Sequence, residues 1–184
     1  MRRTWWTRRS ATLLTIAVVS FAACGCGGGD DADSPILNEE VPVADIADLP
    51  DVDETRSQML DLIEQVRAEV SRLVPATEPW TWNREESRSG CTQERTGRKG
   101  VALYFANLVS DHAFTDQEWG VVYPVVQRLV GAAGLPDDET MQDSGGNHDV
   151  RFSSDDGRTL IFGSETTSVI SATIACRRPA GGTP

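Results

Sequence analysis

The sequence predicts an α+β fold, with two helices packed on one face of a mostly antiparallel sheet in a single domain. Three observations predict it. Two stretches carry apolar residues at helical spacing, each with helix-start or helix-stop chemistry at its end. The last third of the chain is a series of short apolar segments separated by turn residues. The 184 residues, 39% hydrophobic and 24% charged, fit one domain plus accessory segments and are too polar for a polytopic membrane protein. A meander with a helix on either side in sequence buries both apolar stripes by layering the helices on the sheet.

The first helix is expected over 55–74. Met59, Leu62, Ile63, Val66, Val70 and Leu73 follow i, i+3, i+4 spacing, with Glu64, Arg67, Glu69 and Arg72 between them. Pro75 stops it. Trp80-Thr81-Trp82-Asn83-Arg84 alternates with period two and reads as a strand. Residues 86–100 read as a polar loop holding Cys91, and 101–109 as a buried strand. Thr115-Asp116-Gln117-Glu118 is a capping box that opens the second helix. Its apolar positions are Trp119, Val122, Tyr123, Val126, Leu129 and Val130. Pro124 is expected to kink it, and Gly134 with Pro136 to close it. Strands follow at about 139–142, 148–153, 158–163 and 167–175, with Asp156-Gly157 as a two-residue hairpin signal. The expected order is α-β-β-α-β-β-β-β.

Residues 1–23 read as a secretory signal. Residues 1–10 hold four basic residues and no acid, and 11–23 (ATLLTIAVVSFAA) are apolar but shorter than the roughly 20 residues of a bilayer span. Arg8-Arg9 is followed by Ser-Ala-Thr, so ordinary secretion is preferred to twin-arginine export. The signal ends in Phe21-Ala22-Ala23-Cys24, which resembles the lipobox of bacterial lipoproteins, where the Cys is lipidated and becomes the mature N-terminus. Cys26 is the alternative acceptor, and its use would leave Cys91 and Cys176 as an even pair. The Ala-Ala flank favours Cys24. Two or more acyl chains anchor durably where one is marginal, so membrane contact through the lipid is the expected attachment. The remaining reading is a soluble secreted protein with a free thiol.

Residues 24–54 read as a disordered acidic tether. Between 25 and 54 lie ten acids and no Lys or Arg. Asp31-Ala32-Asp33 lacks the Gly and Glu of a calcium loop. The folded domain is expected over 55–184, with 18 acids and 13 bases. The net charge of −11 argues against nucleic acid as a partner.

Cys91 and Cys176 are read as structural. An exported chain sits where disulfides form, neither residue lies in a C-x-x-C, and no His is near either in sequence. If they pair, the closed loop of 85 residues contributes about 4–5 kcal/mol by chain entropy.

Candidate sites are few. Asp111-His112 and Asn147-His148-Asp149 each place a His beside an acid, which is the raw material of a metal site or an oriented general base. No third or fourth ligand is supplied, so no metal and no cofactor are expected. Glu85-Glu86 would point to opposite faces of a strand, unlike a carboxylate pair across a cleft. Ser144-Gly145-Gly146-Asn147 precedes a strand rather than a helix, so it reads as a hairpin turn, not a phosphate loop. Trp80 and Trp82 share one strand face with Arg84 beyond them. Together with His148 they are the candidate binding surface, although a core under the first helix is the preferred place for Trp80 and Trp82.

These residues also carry a family likeness. Trp82-Asn83-Arg84-Glu85-Glu86-Ser87 with Gly90-Cys91, Asn107-Leu108-Val109-Ser110-Asp111-His112, Gly146-Asn147-His148-Asp149-Val150-Arg151, and Val169-Ile170-Ser171-Ala172-Thr173 with Cys176 resemble the LppA/LppV-type lipoproteins of actinobacteria. The resemblance spans roughly 56–178 and leaves out the tether. It implies a lipidated envelope protein in which Cys91 and Cys176 match paired positions. It implies no catalytic residues, because the family has no established activity.

The expected function is therefore a non-enzymatic binding or interaction module, held at the outer face of the membrane by its lipid. Its partner is an unidentified envelope protein or glycan. The alternatives are an envelope hydrolase using His148, Asp149 or Glu85, and a carrier of lipid or glycolipid, which needs an apolar cavity.

Overall fold

The protein is seen in a computed structural model, which describes residues 44–181. The expected signal peptide, both candidate lipidation cysteines and residues 24–43 of the expected tether lie outside the described residues.

Helix α1 spans Val52–Leu73. Asp51 caps it by accepting from the Asp53 and Glu54 backbone N–H groups at 3.0 Å each, and these two acids sit at the positive end of the helix dipole. Met59, Leu62, Ile63, Val66 and Val70 are buried, as their spacing predicts, and Leu73 packs against the core from its edge. The helix starts three residues earlier than expected, and the order reaches further upstream. Ile46 is fully buried, its N–H donates to Gln93 Oε1, and Asp45 pairs with Arg98. The acid count of 44–54 hides two buried apolar residues, Ile46 and Val52, and two ion pairs, Asp45 with Arg98 and Asp53 with Arg88, so this part of the expected tether belongs to the domain.

Helix α2 spans Asp116–Ala132 and opens with the capping box in full. The Thr115 N–H donates to Glu118 Oε2 at 2.9 Å, and the Glu118 N–H donates to Thr115 Oγ1 at 3.2 Å. The helix is continuous through Pro124. Pro124 and Gly120 both face solvent, so water can satisfy the Gly120 carbonyl that the missing N–H leaves free. Gly134 closes α2 at φ +85°, and the Leu135 N–H returns to Val130 O, completing a Schellman motif.

Eight strands form one antiparallel sheet: β1 Trp80–Asn83, β2 Ser87–Thr92, β3 Lys99–Tyr104, β4 Asn107–Ser110, β5 Asp137–Ser144, β6 Asn147–Ser153, β7 Arg158–Ser164 and β8 Ser168–Arg177. Strands β5 to β8 are the expected meander. The other side of the ten-residue β8 is shared: β4 pairs with its first half and β3 with its second. The predicted strand at 101–109 is thus one line broken at Phe105-Ala106, and the Phe105 N–H still bonds to Ala172 O across the break. Strand β1 lines β4, and β2 lines β3. The expected polar loop at 86–100 is in fact β2, a connection with a turn at 94–96 and the start of β3. Strand β2 is an edge strand exposed at every residue except Cys91, so it has no apolar alternation to reveal it.

Both helices lie on the same sheet face. Val150, Phe152, Leu160, Phe162, Ile170, Ala172 and Ile174 form its floor. Cys91 and Cys176 form a disulfide with a Cα–Cα distance of 5.7 Å. It ties β2 to β8 past Gly100, where a Cβ would lie 2.4 Å from Arg177 O and 2.8 Å from Cys176 Sγ. Only glycine fits under this cross-link. Strand β5 is the opposite edge, exposed at every residue, and its Asp137, Asp138, Glu139 and Asp143 discourage pairing with another chain.

Candidate functional site

The chemistry gathers where β5, β6, β7 and α2 meet. The turn Gly145-Gly146 joins β5 to β6, with Gly146 at φ +72°. It sets Ser144 opposite Asn147, Asp143 opposite His148 and Gln142 opposite Asp149. The next strands continue the rows: His148 faces Ser164 and then Ser168, while Asp149 faces Gly163 and then Val169. Consecutive residues of a strand point to opposite faces, so the sequence triplet Asn147-His148-Asp149 is divided. His148 lies on the helix side and Asp149 on the open side.

On the helix side His148 is buried. Its ring stacks on Trp119 of α2 at 4.7 Å between centroids, and Trp119 stacks in turn on Phe162 at 5.1 Å and on Tyr123 at 5.6 Å. Burial, with Asp138 accepting the Tyr123 hydroxyl, pushes that phenol up to about 12. His148 Nδ1 lies 2.9 Å from Asp143 Oδ1 and Nε2 lies 3.1 Å from Asp116 Oδ1. Only the imidazolium donates to both at once. Asp116 also accepts the Gly146 N–H at 2.8 Å. That bond first, and His148 second, hold the Asp116 carboxyl below its ordinary value. The group is a clamp that fastens the start of α2 to the β5–β6 hairpin.

His112 forms a second such pair, with Nε2 3.2 Å from Glu118 Oε2. The Thr115 backbone N–H, and then the Thr115 hydroxyl and His112, lower the Glu118 carboxyl. The serines along the same row anchor the segment leading into α2. Ser164 accepts the Phe114 N–H at 2.8 Å, Ser168 donates to His112 O at 2.7 Å, and Ser110 accepts the His112 N–H at 3.2 Å. Ser164 is the cross-strand neighbour of His148, yet the imidazole nitrogens turn to carboxylates.

On the open side, Asp149 lies at a cleft of about 210 Å³ bordered by Asn147, Gly163 and the turn Glu165-Thr166-Thr167. Gly163 makes room for the carboxylate: a Cβ there would stand 3.1 Å from Asp149 Oδ1 and 3.1 Å from His148 O. Asp149 Oδ1 is buried and accepts no hydrogen bond among the described residues. Burial raises its carboxyl above the ordinary value.

The other candidates stand apart from this end. Trp80 is half-buried under α1, and its indole N–H donates to Ser71 Oγ at 3.0 Å. Trp82 is 51% exposed on the edge strand. Arg84 is exposed at φ +73°, and Glu85 is exposed beside it. Trp80 pairs with Ser110, in the same row as His148 but four strands away, about 19 Å at the usual strand spacing. His148 therefore shares no surface with Trp80, Trp82 and Arg84. Glu86 turns to α1 and pairs with Arg56 at 2.7 Å. Sequence reasoning passed over Asp116, Asp143, Gly163 and Glu165. The Gly-Gly turn could have supplied Asp143, because a two-residue hairpin loop puts the residues on either side in register.

This is a small, disulfide-tied α+β domain with a hydrogen-bonded His–Asp clamp on one sheet face and a polar cleft on the other. The chain belongs to the LppA family, described as "Lipoprotein confined to pathogenic Mycobacterium", which matches residues 39–180. No curated protein matches the sequence. Two solved structures are similar. The lipoprotein LppA from Mycobacterium tuberculosis aligns with a TM-score of 0.53 and 12% identity over 76% of this chain and 89% of that chain. A DUF4853 family protein from Actinomyces odontolyticus aligns with a TM-score of 0.46 and 12% identity over 78% of this chain and 77% of that one. The first shares the fold. Among the described residues no helix is long and apolar enough to cross a membrane, and no three His, Cys, Asp or Glu side chains are grouped to hold a metal.

Proposed function

We propose that this protein is a lipid-anchored, non-enzymatic binding module of the cell envelope. Membership of a lipoprotein family supports the address. The Ala22-Ala23-Cys24 sequence supports lipidation at Cys24, with Cys26 as the alternative. Intact mass of membrane-extracted protein tests this. A chain beginning at Cys24 and carrying acyl glyceride is expected; an unlipidated chain in the medium overturns the anchor.

The observation that carries the binding role is the buried, unpartnered oxygen of Asp149 at the cleft. Buried polar groups without partners are rare, and this one belongs to a carboxylate at the border of an open polar cleft. The hydrolase alternative is less well supported, because both His148 nitrogens and one of His112 already face carboxylates. The test is to incubate the detergent-solubilised full chain with envelope glycan fragments, then read amide NMR shifts and ligand mass. Retention of a ligand of unchanged mass is expected. Product masses that disappear in His148→Ala would replace the binding module by the hydrolase.

A further inference from the structure

The clamp on the helix side is built around one titratable ring. His148 is buried on β6, and three elements face it. From β5, Asp143 Oδ1 lies 2.9 Å from Nδ1. From α2, Asp116 Oδ1 lies 3.1 Å from Nε2, and the Trp119 ring covers the imidazole face at 4.7 Å. From β7, Ser164 stands opposite in register, with its oxygen taken by the Phe114 N–H. Glu118 of α2 is engaged by Thr115 and His112. Tyr123 of α2 lies one ring further on, and its hydroxyl, pushed up to about 12, donates to Asp138. His148 also lines the cleft of the open face, which Asp149 and Glu165 border. The ring nitrogens themselves meet Asp143 and Asp116.

A neutral imidazole has one N–H donor and one lone pair, and only the imidazolium has two donors. Imidazole is also the side chain whose charge ordinarily changes between about pH 5 and 8. With two protons the ring bridges carboxylates from two elements, over an aromatic face that attracts a cation. With one proton, a lone pair faces one of the two carboxylates. A proton on Nε2 keeps Asp116 and drops Asp143; a proton on Nδ1 does the reverse. Either way the chain of bonds from β5 through β6 to α2 is cut at one point. Asp116 has a lowered carboxyl and remains a carboxylate through this range. The Gly145-Gly146 turn carries no side chain, so its bonds to α2 run through Asp116, by the Gly146 N–H at 2.8 Å and the His148 ring.

We propose that Asp143, His148 and Asp116 form a pH-sensitive latch, which holds the β5–β6 turn on the start of α2 while the ring carries two protons and frees the turn when it carries one. The release is local. Lower on β5, Asp138 keeps the Tyr123 hydroxyl, which does not lose its proton in this range. The latch is therefore closed on the acid side and open on the basic side, with the rest of the hairpin still fastened to α2.

The test follows two NMR signals of the detergent-solubilised full chain between about pH 5 and 8. One is the pair of His148 ring nitrogen shifts, which report the proton on each nitrogen. The other is the hydrogen-exchange protection of the Gly146 amide, corrected for its intrinsic rate. Protection should fall about tenfold over the interval in which the ring loses one N–H, the low end of the range for a charge-assisted hydrogen bond. Asp143→Asn changes an exposed residue of the edge strand. Its amide donates to a bare Nδ1 while the Nε2 proton keeps Asp116, so the fall should shrink to about twofold or less. His112→Gln removes the other imidazole of this region and should leave the wild-type fall unchanged. Constant Gly146 protection across the range overturns the latch, as does a fall with no change at the His148 ring. An undiminished fall in Asp143→Asn, or one that His112→Gln abolishes, overturns it as well.

Discussion

Asp149 and Asp156 are two half-buried aspartates of one sheet, and their carboxyls shift in opposite directions. At Asp156 burial works against ionisation, but hydrogen bonds from Ser154 and Arg158 and the charges of Arg158 and Arg177 outweigh it, so the carboxyl is lowered. Arg158 Nε lies 2.8 Å and 2.9 Å from its two oxygens, and Arg177 Nη2 lies 3.4 Å away. Arg158 also donates to the Ala133 and Gly134 carbonyls at the negative end of α2. At Asp149 burial acts without an opposing partner, and the carboxyl is raised. Burial alone therefore does not define a structural acid. The Asp156 carboxylate is met by donors of the chain itself, while Asp149 Oδ1 accepts no hydrogen bond among the described residues.

The largest test removes the covalent edge of the closed corner. Cys176 precedes Arg177, so replacing Cys91 and Cys176 together by Ala should cost about 4–5 kcal/mol, the chain-entropy value for a loop of 85 residues. Urea unfolding reads it, and a loss under about 1 kcal/mol would show that the corner stands without its cross-link. Next, Asp156→Asn strands Arg177, which is fully buried. A loss of about 3 kcal/mol is expected from breaking a buried pair on one side. The double change Asp156→Asn with Arg177→Met should recover part of it, and no recovery would mean that Asp156 acts through Arg158 alone.

At the cleft the expected sign is reversed. Asp149→Asn should leave stability unchanged or raise it by about 1 kcal/mol at neutral pH, since it removes an uncompensated buried charge. A clear loss would reveal a partner for Asp149 within the folded chain.

The smallest effect is in pH. Asp156, Asp116 and Glu118 have lowered carboxyls, so they stabilise the fold above their unfolded values, and that contribution is lost as pH falls through the folded ones. Asp149 has a raised carboxyl. Its penalty is full above the folded value and fades as pH falls toward the unfolded one. The gap between wild type and Asp149→Asn should therefore shrink on acidification while both lose stability. Urea midpoints from pH 7 to pH 3 check both trends, and a gap that widens would reverse the assignment.

Much of the fold could be read before it was seen. The apolar spacing of Met59 to Val70 and of Trp119 to Val130 is a local property of each helix, and both stripes are buried. The capping box needs only residues 115–118, and it forms as written. Strand β2 could not be read, because an exposed edge strand selects no apolar alternation. The break between β3 and β4 could not be read either, since it exists only relative to β8.

The site was legible in part. His148 drew notice beside Asp149, but its partners are Asp143 and Asp116, one across a hairpin and the other on α2. Trp119 was read as a core position of its helix, which it is, and nothing local shows that its ring covers an imidazole.

By itself the sequence determined what depends on neighbours within a few residues: both helices, the capping box of α2, the Gly145-Gly146 turn and the α+β class. The tertiary structure alone decided which polar groups found partners. Asp156 meets Arg177, 21 residues on, because β7 and β8 pair. Asp149 lies between Gln142 of β5 and Gly163 of β7, which presents no side chain, and its Oδ1 accepts no hydrogen bond among the described residues. A carboxylate's charge is set by what stands within a few ångströms of it, and in a sheet those neighbours come from other strands.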